Sequence, residues 1–185
     1  MIHGPACVAS PVSVLVHLHM RTAKLLRILA LLFFLLPALT AAEELPTLLT
    51  ITRQGTVLGT FSLAALEAAG AEQVTVADDA DRSADYTGVP MSKLLESVGV
   101  TLGASLKGKR LAEFVVVQAA DGYRALFSLA EIDPMFRERS LLLCYRKNGS
   151  ALPDGEGPLR LVVADEKRHA RWVRQVTAID LDAAH

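Results

Sequence analysis

Cysteine is nearly missing from this chain: 185 residues hold two, Cys7 and Cys144. No Cys-x-x-Cys pair exists, so a paired-thiol metal or redox centre is excluded. Neither a Gly-x-Ser-x-Gly elbow nor a phosphate-cradling glycine-rich loop is present, which removes α/β-hydrolase and P-loop chemistry. Excess charge of one sign is lacking too. Nineteen basic residues face twenty acidic ones, for a formal net charge of -1, without the concentrated basic face of a nucleic-acid binder.

Long apolar runs are confined to the start. Residues 25–39 are apolar except for Arg27, follow Arg21 and Lys24, and lead through Thr40-Ala41-Ala42 to Glu43-Glu44. A basic start, an apolar centre and small residues at the end describe a secretory signal peptide cut after Ala42. The competing reading is an uncleaved anchor, for which the run is short of the roughly 20 residues that a span needs. Arg21 and Arg27 are separated, so the twin-arginine signal of folded export is absent. Residues 1–19 are unlike a leader's opening and read as an extension before a true start at Met20. The expected division is therefore 1–19 extension, 20–42 signal peptide and 43–185 one domain, with its core at 61–181, exported to the periplasm. Cys144 alone remains after cleavage, which rules out an internal disulfide.

Turn signals partition the domain. Gln54-Gly55 joins strands at 48–52 and 56–61, and Ser62 caps a short helix over 63–69 that Gly70 ends. Residues 73–77 alternate as a half-buried strand does, 78–85 form a polar loop, and Pro90 starts a helix closed by Gly99. A continuous apolar run at 114–117 predicts a fully buried strand, turned by Asp121-Gly122 into a strand at 123–127. Ser128 caps a helical turn. Further strands are expected at 140–145, 159–163 and 172–181, with Asn148-Gly149 as a tight turn. The result is an α+β domain, a mixed β-sheet with short helices.

Four stretches carry more than the rest when taken in order. They are Tyr86-Thr87-Gly88-Val89-Pro90, Asp121-Gly122-Tyr123, Asn148-Gly149-Ser150 with Leu152-Pro153, and Gly157-Pro158-Leu159-Arg160-Leu161-Val162-Val163 followed by Trp172-Val173-Arg174. Together they resemble the molybdopterin-binding oxidoreductase domain of sulfite oxidases and their bacterial relatives. The resemblance implies that family's fold and makes molybdopterin the cofactor to consider. It also implies a cysteine upstream of the first stretch as the molybdenum ligand, yet that region reads Val74-Thr75-Val76-Ala77-Asp78. Cofactor loading in the family takes place in the cytoplasm and generally needs folded export, so the leader is a second argument against a bound cofactor. No cofactor and no metal ligand set is the expectation.

By resemblance, Arg160 is the arginine that contacts the cofactor's phosphate, as a guanidinium fork suits. Arg171 or Arg174 would replace a basic residue facing the cofactor. Relatives with cofactor often carry asparagine or histidine where this chain has Glu156, and a carboxylate there repels a phosphate. Arg160 therefore reads equally as a retained anion site or as a buried ion pair with Glu156. Tyr86 reads as a core aromatic ahead of a pocket residue. Asp121 and Tyr123 read as a hairpin and its packing ahead of a pocket rim. Trp172 either covers a ligand or closes the sheet. Cys144, in an apolar strand, reads as inert packing, the aspartates at 78, 79, 81 and 85 as a solvated loop, and His169 as part of a charged surface turn.

These readings favour a non-catalytic exported protein that binds a small anion, a ligand or an envelope protein partner through a vestigial cofactor pocket. The alternatives are a molybdopterin-dependent oxidoreductase of the sulfite oxidase type, with an unusual ligand or beside a haem partner, and an accessory domain acting on a membrane signalling protein.

Overall fold

Apolar and polar residues alternate with a period of two along several segments of this chain, and that period folds as strand. The computed structural model describes residues 45–184 except 79, 81, 139 and 140. The leader and the start at Met20 lie outside the described residues. Strands β1 (Leu49–Arg53) and β2 (Thr56–Phe61) flank Gln54-Gly55, both at positive φ, as a type I′ hairpin requires. Helix α1 (Leu63–Ala68) is capped by the Ser62 side chain and buries Leu66. Strands β3 (Glu72–Ala77) and β4 (Ser83–Pro90) then pair antiparallel and lead into α2 (Met91–Ser97).

Strands β5 (Glu113–Ala119) and β6 (Arg124–Ser128) form the hairpin around Asp121-Gly122, and α3 (Leu129–Ile132) follows on a capping box made by Ser128 and Glu131. Strand β7 (Leu141–Lys147) turns through Asn148-Gly149 into the short β8 (Ser150–Ala151). Strands β9 (Arg160–Val163) and β10 (Val176–Ala183) close the domain.

Two sheets result. One has the order β2-β1-β10-β5-β6 and is mixed, because β1 and β10 run parallel; the other has the order β3-β4-β7-β8, with β9 also on β7. A single cluster of buried apolar residues, including Leu49, Ile51, Tyr86, Val115, Phe127, Leu143 and Ile179, fills the interior. The α+β class expected from the sequence is the one found.

Four local expectations need correction. Residues 83–85 belong to β4, because burial alternates along them: Ala84 and Tyr86 are buried, Ser83 is exposed and Asp85 half-buried. Strand β5 is not buried on both faces: Phe114 and Val116 are half-buried beside the buried Val115 and Val117. The last strand begins at Val176, since a 3₁₀ turn at His169–Arg171 and a positive φ at Gln175 occupy the chain before it. Asp78 is buried, as its hydrogen bonds below explain, while 79 and 81 lie outside the described residues.

Gly88 has a specific reason to lack a side chain. It sits at a bulge where β4 meets β7, and a Cβ there would lie 2.3 Å from the Leu143 carbonyl oxygen and 2.5 Å from the Cys144 Cα. Only glycine lets the two backbones approach this closely. In that ladder Tyr86 stands opposite Lys147, and across β7, in its pairing with β9, Arg160 stands opposite Cys144.

Candidate functional site

Arg160 opens β9 in the interior, with its side chain 1% exposed. A guanidinium so buried requires an anion at contact distance. Glu156 supplies it: Nη1 donates to Oε2 at 2.5 Å. Glu156 Oε1 lies 3.5 Å from Lys147 Nζ, and Lys147 in turn donates to Asp78 Oδ2 at 3.2 Å. Arg160 Nη1 also lies 3.4 Å from the Tyr86 hydroxyl. Aromatic rings complete the enclosure. The guanidinium carbon is 5.6 Å from the Tyr86 ring centre and 5.4 Å from that of Trp172, and the two rings meet edge to face at 6.0 Å.

The electrostatics follow from this wiring. Backbone N–H groups of Arg82 and Ala80 and the side chains of Arg82 and Lys147 donate to Asp78, holding its carboxyl well below the ordinary carboxylate range. Burial pulls Lys147 down, but its contacts with Tyr86 and Asp78 and the charge of Glu156 outweigh burial, so its ammonium is held above its usual value. Burial raises the Tyr86 phenol, against the lowering effect of Arg160. The arrangement alternates charges: Asp78, Lys147, Glu156, Arg160.

Trp172 connects this interior to the surface. His169 stacks on its ring at 3.7 Å, and the indole N–H donates to the Val163 carbonyl at 3.0 Å. Beside it opens a polar cleft of about 340 Å³ lined by Asp121, Tyr123, His169, Trp172, Arg174 and Gln175, among others. Tyr123 is half exposed on its rim, its hydroxyl donating to the Ala170 carbonyl at 2.6 Å, while Asp121 accepts from the Tyr123 N–H.

The expected site residues thus divide into three groups. Tyr86, Glu156, Arg160 and Trp172 are brought together in the interior. Asp121, Tyr123 and Arg174 line the cleft on the outer side of Trp172. Arg171 joins neither: it pairs with Glu166 and with Glu131 at 3.0 Å, donates to the Leu126 carbonyl and lies 4.5 Å above the Phe127 ring. The ion pair with Glu156, one of the two readings of Arg160, is present. Tyr123 stands at a rim instead of packing at the hairpin base. Sequence reasoning missed Lys147 and Asp78 as partners of this cluster. Lys147 reaches the cluster through the pairing of β7 with β4, where it stands opposite Tyr86.

The domain so described is a two-sheet α+β scaffold enclosing one buried arginine between two aromatic rings. Residues 47–185 match the oxidoreductase molybdopterin binding domain. The chain belongs to that family. Among solved structures it is similar to the sulfane dehydrogenase SoxCD from Paracoccus pantotrophus, with a TM-score of 0.54 and 20% identity, over 72% of this chain. It spans 37% of the length of that chain. No curated protein matches it.

The residues present do not fit a molybdenum cofactor. Arg160 donates through Nη1 to Glu156, so a phosphate at that nitrogen would meet a carboxylate. Cys144 lies on β7 with its Sγ against the Leu142 carbonyl, and burial pushes its thiol far up, which disfavours the thiolate needed for ligation. The loop after β3 offers Asp78, already committed to four donors. No group of three or more metal-ligating side chains occurs among the described residues. Nor is any helix among them long and apolar enough to cross a membrane.

Proposed function

We propose that the protein is an exported, non-catalytic member of its family that binds a small anionic or polar ligand, or a side chain of an envelope protein. The pocket that held the cofactor in its relatives is closed at Arg160, and binding falls to the neighbouring cleft. The observation that carries this reading is the 2.5 Å contact between Glu156 and a fully buried Arg160. It sets the protein's own carboxylate against the side chain that the resemblance assigns to the cofactor's phosphate. The cleft offers both signs of charge around a small opening, in Asp121 and Arg174, beside the Tyr123 hydroxyl, which gives its hydrogen to Ala170 and keeps a lone pair to accept. That composition suits a small polar ligand.

Export by the leader at 20–42 belongs to the same reading. Mature protein isolated from the cell envelope should begin at Glu43 by intact mass and carry neither molybdenum nor a pterin. Stoichiometric metal with a pterin in that preparation would sink the proposal.

A further inference from the structure

We propose that the cavity lined by Tyr145 binds a small protonated amine with an apolar body, its ammonium held by the Tyr145 hydroxyl and Asp154. A common wall, Gly155 and Gln175, parts this cavity from the polar cleft beside Trp172. The two hollows are different sites with different preferences.

Tyr145 stands outside both ladders of its strand. Toward β4, Arg146 pairs with Thr87 and Cys144 with Gly88, so Tyr145 is the extra residue of the bulge. On the other side Arg146 pairs with Ala151 of β8 and Cys144 with Arg160 of β9, and residues 152–159 leave the sheet between those pairs. A bulge re-aims a side chain. Here the side chain lines a cavity of about 460 Å³ that the departing segment frames. Only 6% of Tyr145 is exposed, yet its hydroxyl has no hydrogen-bond partner among the described residues. Buried polar groups almost always have a partner, so this hydroxyl must be satisfied from outside the chain.

The walls select the ligand's body. Leu48, Leu63, Leu152, Pro153 and Pro158 make them mostly apolar, and Leu48 and Leu63 also border a second hollow of about 330 Å³ against α1. An apolar cavity of this size with a few polar groups is the usual form of a small-molecule site. Its frame is already fixed. The Glu156 and Gly157 N–H groups donate to the Pro153 carbonyl at 3.0 and 3.1 Å, and the Gln175 N–H donates to the Glu156 carbonyl at 2.9 Å. Little ordering is then left for binding to offset.

Charge selects the head group. No basic residue is among those lining the cavity. Glu67, in the adjoining hollow, is already paired with Arg146 at 2.7 Å. Asp154 is exposed and has no such partner among the described residues. Burial and the charge of Glu67 raise the Tyr145 phenol, against the lowering effect of Arg146, so it stays protonated near neutral pH and keeps a lone pair to accept. One uncompensated carboxylate beside a neutral acceptor favours a cationic donor and repels a carboxylate.

The test titrates hexylammonium, hexanol and hexanoate into the protein near neutral pH, following the methyl resonances of Leu48, Leu63 and Leu152 by NMR. The three probes share a chain and differ in the head. Hexylammonium should bind about tenfold more tightly than hexanol, and hexanoate more weakly than either. Ethylammonium, with too short a body, should bind at least about tenfold more weakly than hexylammonium. Asp154→Asn should bring hexylammonium to within about twofold of hexanol. Tyr145→Phe should weaken hexylammonium about threefold or more, yet melt within about 1 °C of wild type, because the hydroxyl it loses bonds nothing in the fold. Equal affinity for the three heads, a preference for hexanoate, or no shift of those methyls overturns the proposal. So do variants that bind as wild type does, or a Tyr145→Phe protein that melts several degrees lower, which would make the hydroxyl structural.

Discussion

Replacing Arg171 by alanine separates two roles for a residue that the family resemblance places near a cofactor. In the fold it bridges α3, β6 and the 3₁₀ turn: it pairs with Glu166 and Glu131, donates to Leu126 and lies over Phe127. Its side chain is 36% exposed, so each ion pair is worth about 0.2–1 kcal/mol. The bond to the Leu126 carbonyl adds about 1 kcal/mol and the contact with Phe127 about 0.5–1 kcal/mol. Arg171→Ala should therefore cost about 2–4 kcal/mol. That corresponds to a fall in melting temperature of about 6–14 °C for a domain of this size. Arg171→Lys keeps the charge but not the fork and should recover part of the loss. The assay is thermal unfolding by circular dichroism on protein made in a host that cannot synthesise molybdopterin. If Arg171 served only a cofactor, its removal would leave cofactor-free protein unchanged; a shift within about 1 °C would refute the structural role.

Two further outcomes follow from the same physics. Because the Asp78 carboxyl is held below its ordinary value of 3.8, its contribution to stability is complete above that value and is lost as pH falls below it. Melting temperatures of the wild type measured from about pH 5 down to about pH 2 should therefore fall more steeply than those of Asp78→Asn, and parallel curves would contradict the assignment. Gly88→Ala forces a methyl against the Leu143 carbonyl and the Cys144 Cα, backbone atoms that cannot yield without parting β4 from β7. A cost of about 3 kcal/mol or more is expected, read as loss of soluble protein or a much reduced urea midpoint; a well-folded alanine variant would show that the bulge relaxes.

The hairpins were legible in the sequence because their turns demand particular chemistry. Gln54-Gly55, Asp121-Gly122 and Asn148-Gly149 each place glycine where positive φ is needed, and each lies where the chain reverses. The capping box at Ser128 and Glu131 was legible in part, through the serine alone. Strand β4 was hidden for a physical reason: Ser83 and Asp85 made its start look like loop, although alternation with Ala84 and Tyr86 was present. Trp172 was read into a strand, whereas the 3₁₀ turn at His169–Arg171 ends on it, closed by the bond from its N–H to the His169 carbonyl and by the stacking of that imidazole on its ring. The candidate site was half legible. Local sequence put Glu156 four residues before Arg160 and made their pairing one of two readings. Lys147 and Asp78 join them only through the β4–β7 register, a long-range pairing that no window of sequence contains.

Trp172 also equips the protein with an optical probe. It is the chain's only tryptophan, it touches Arg160 on one side and His169 on the other, and Tyr86 stands edge-on to it at 6.0 Å. All indole emission therefore arises between the buried charge cluster and the cleft. A change on either side alters the intensity or colour of a single fluorophore, and no label is needed to watch it. The residue that closes the interior is thus also the one through which its state can be seen from outside.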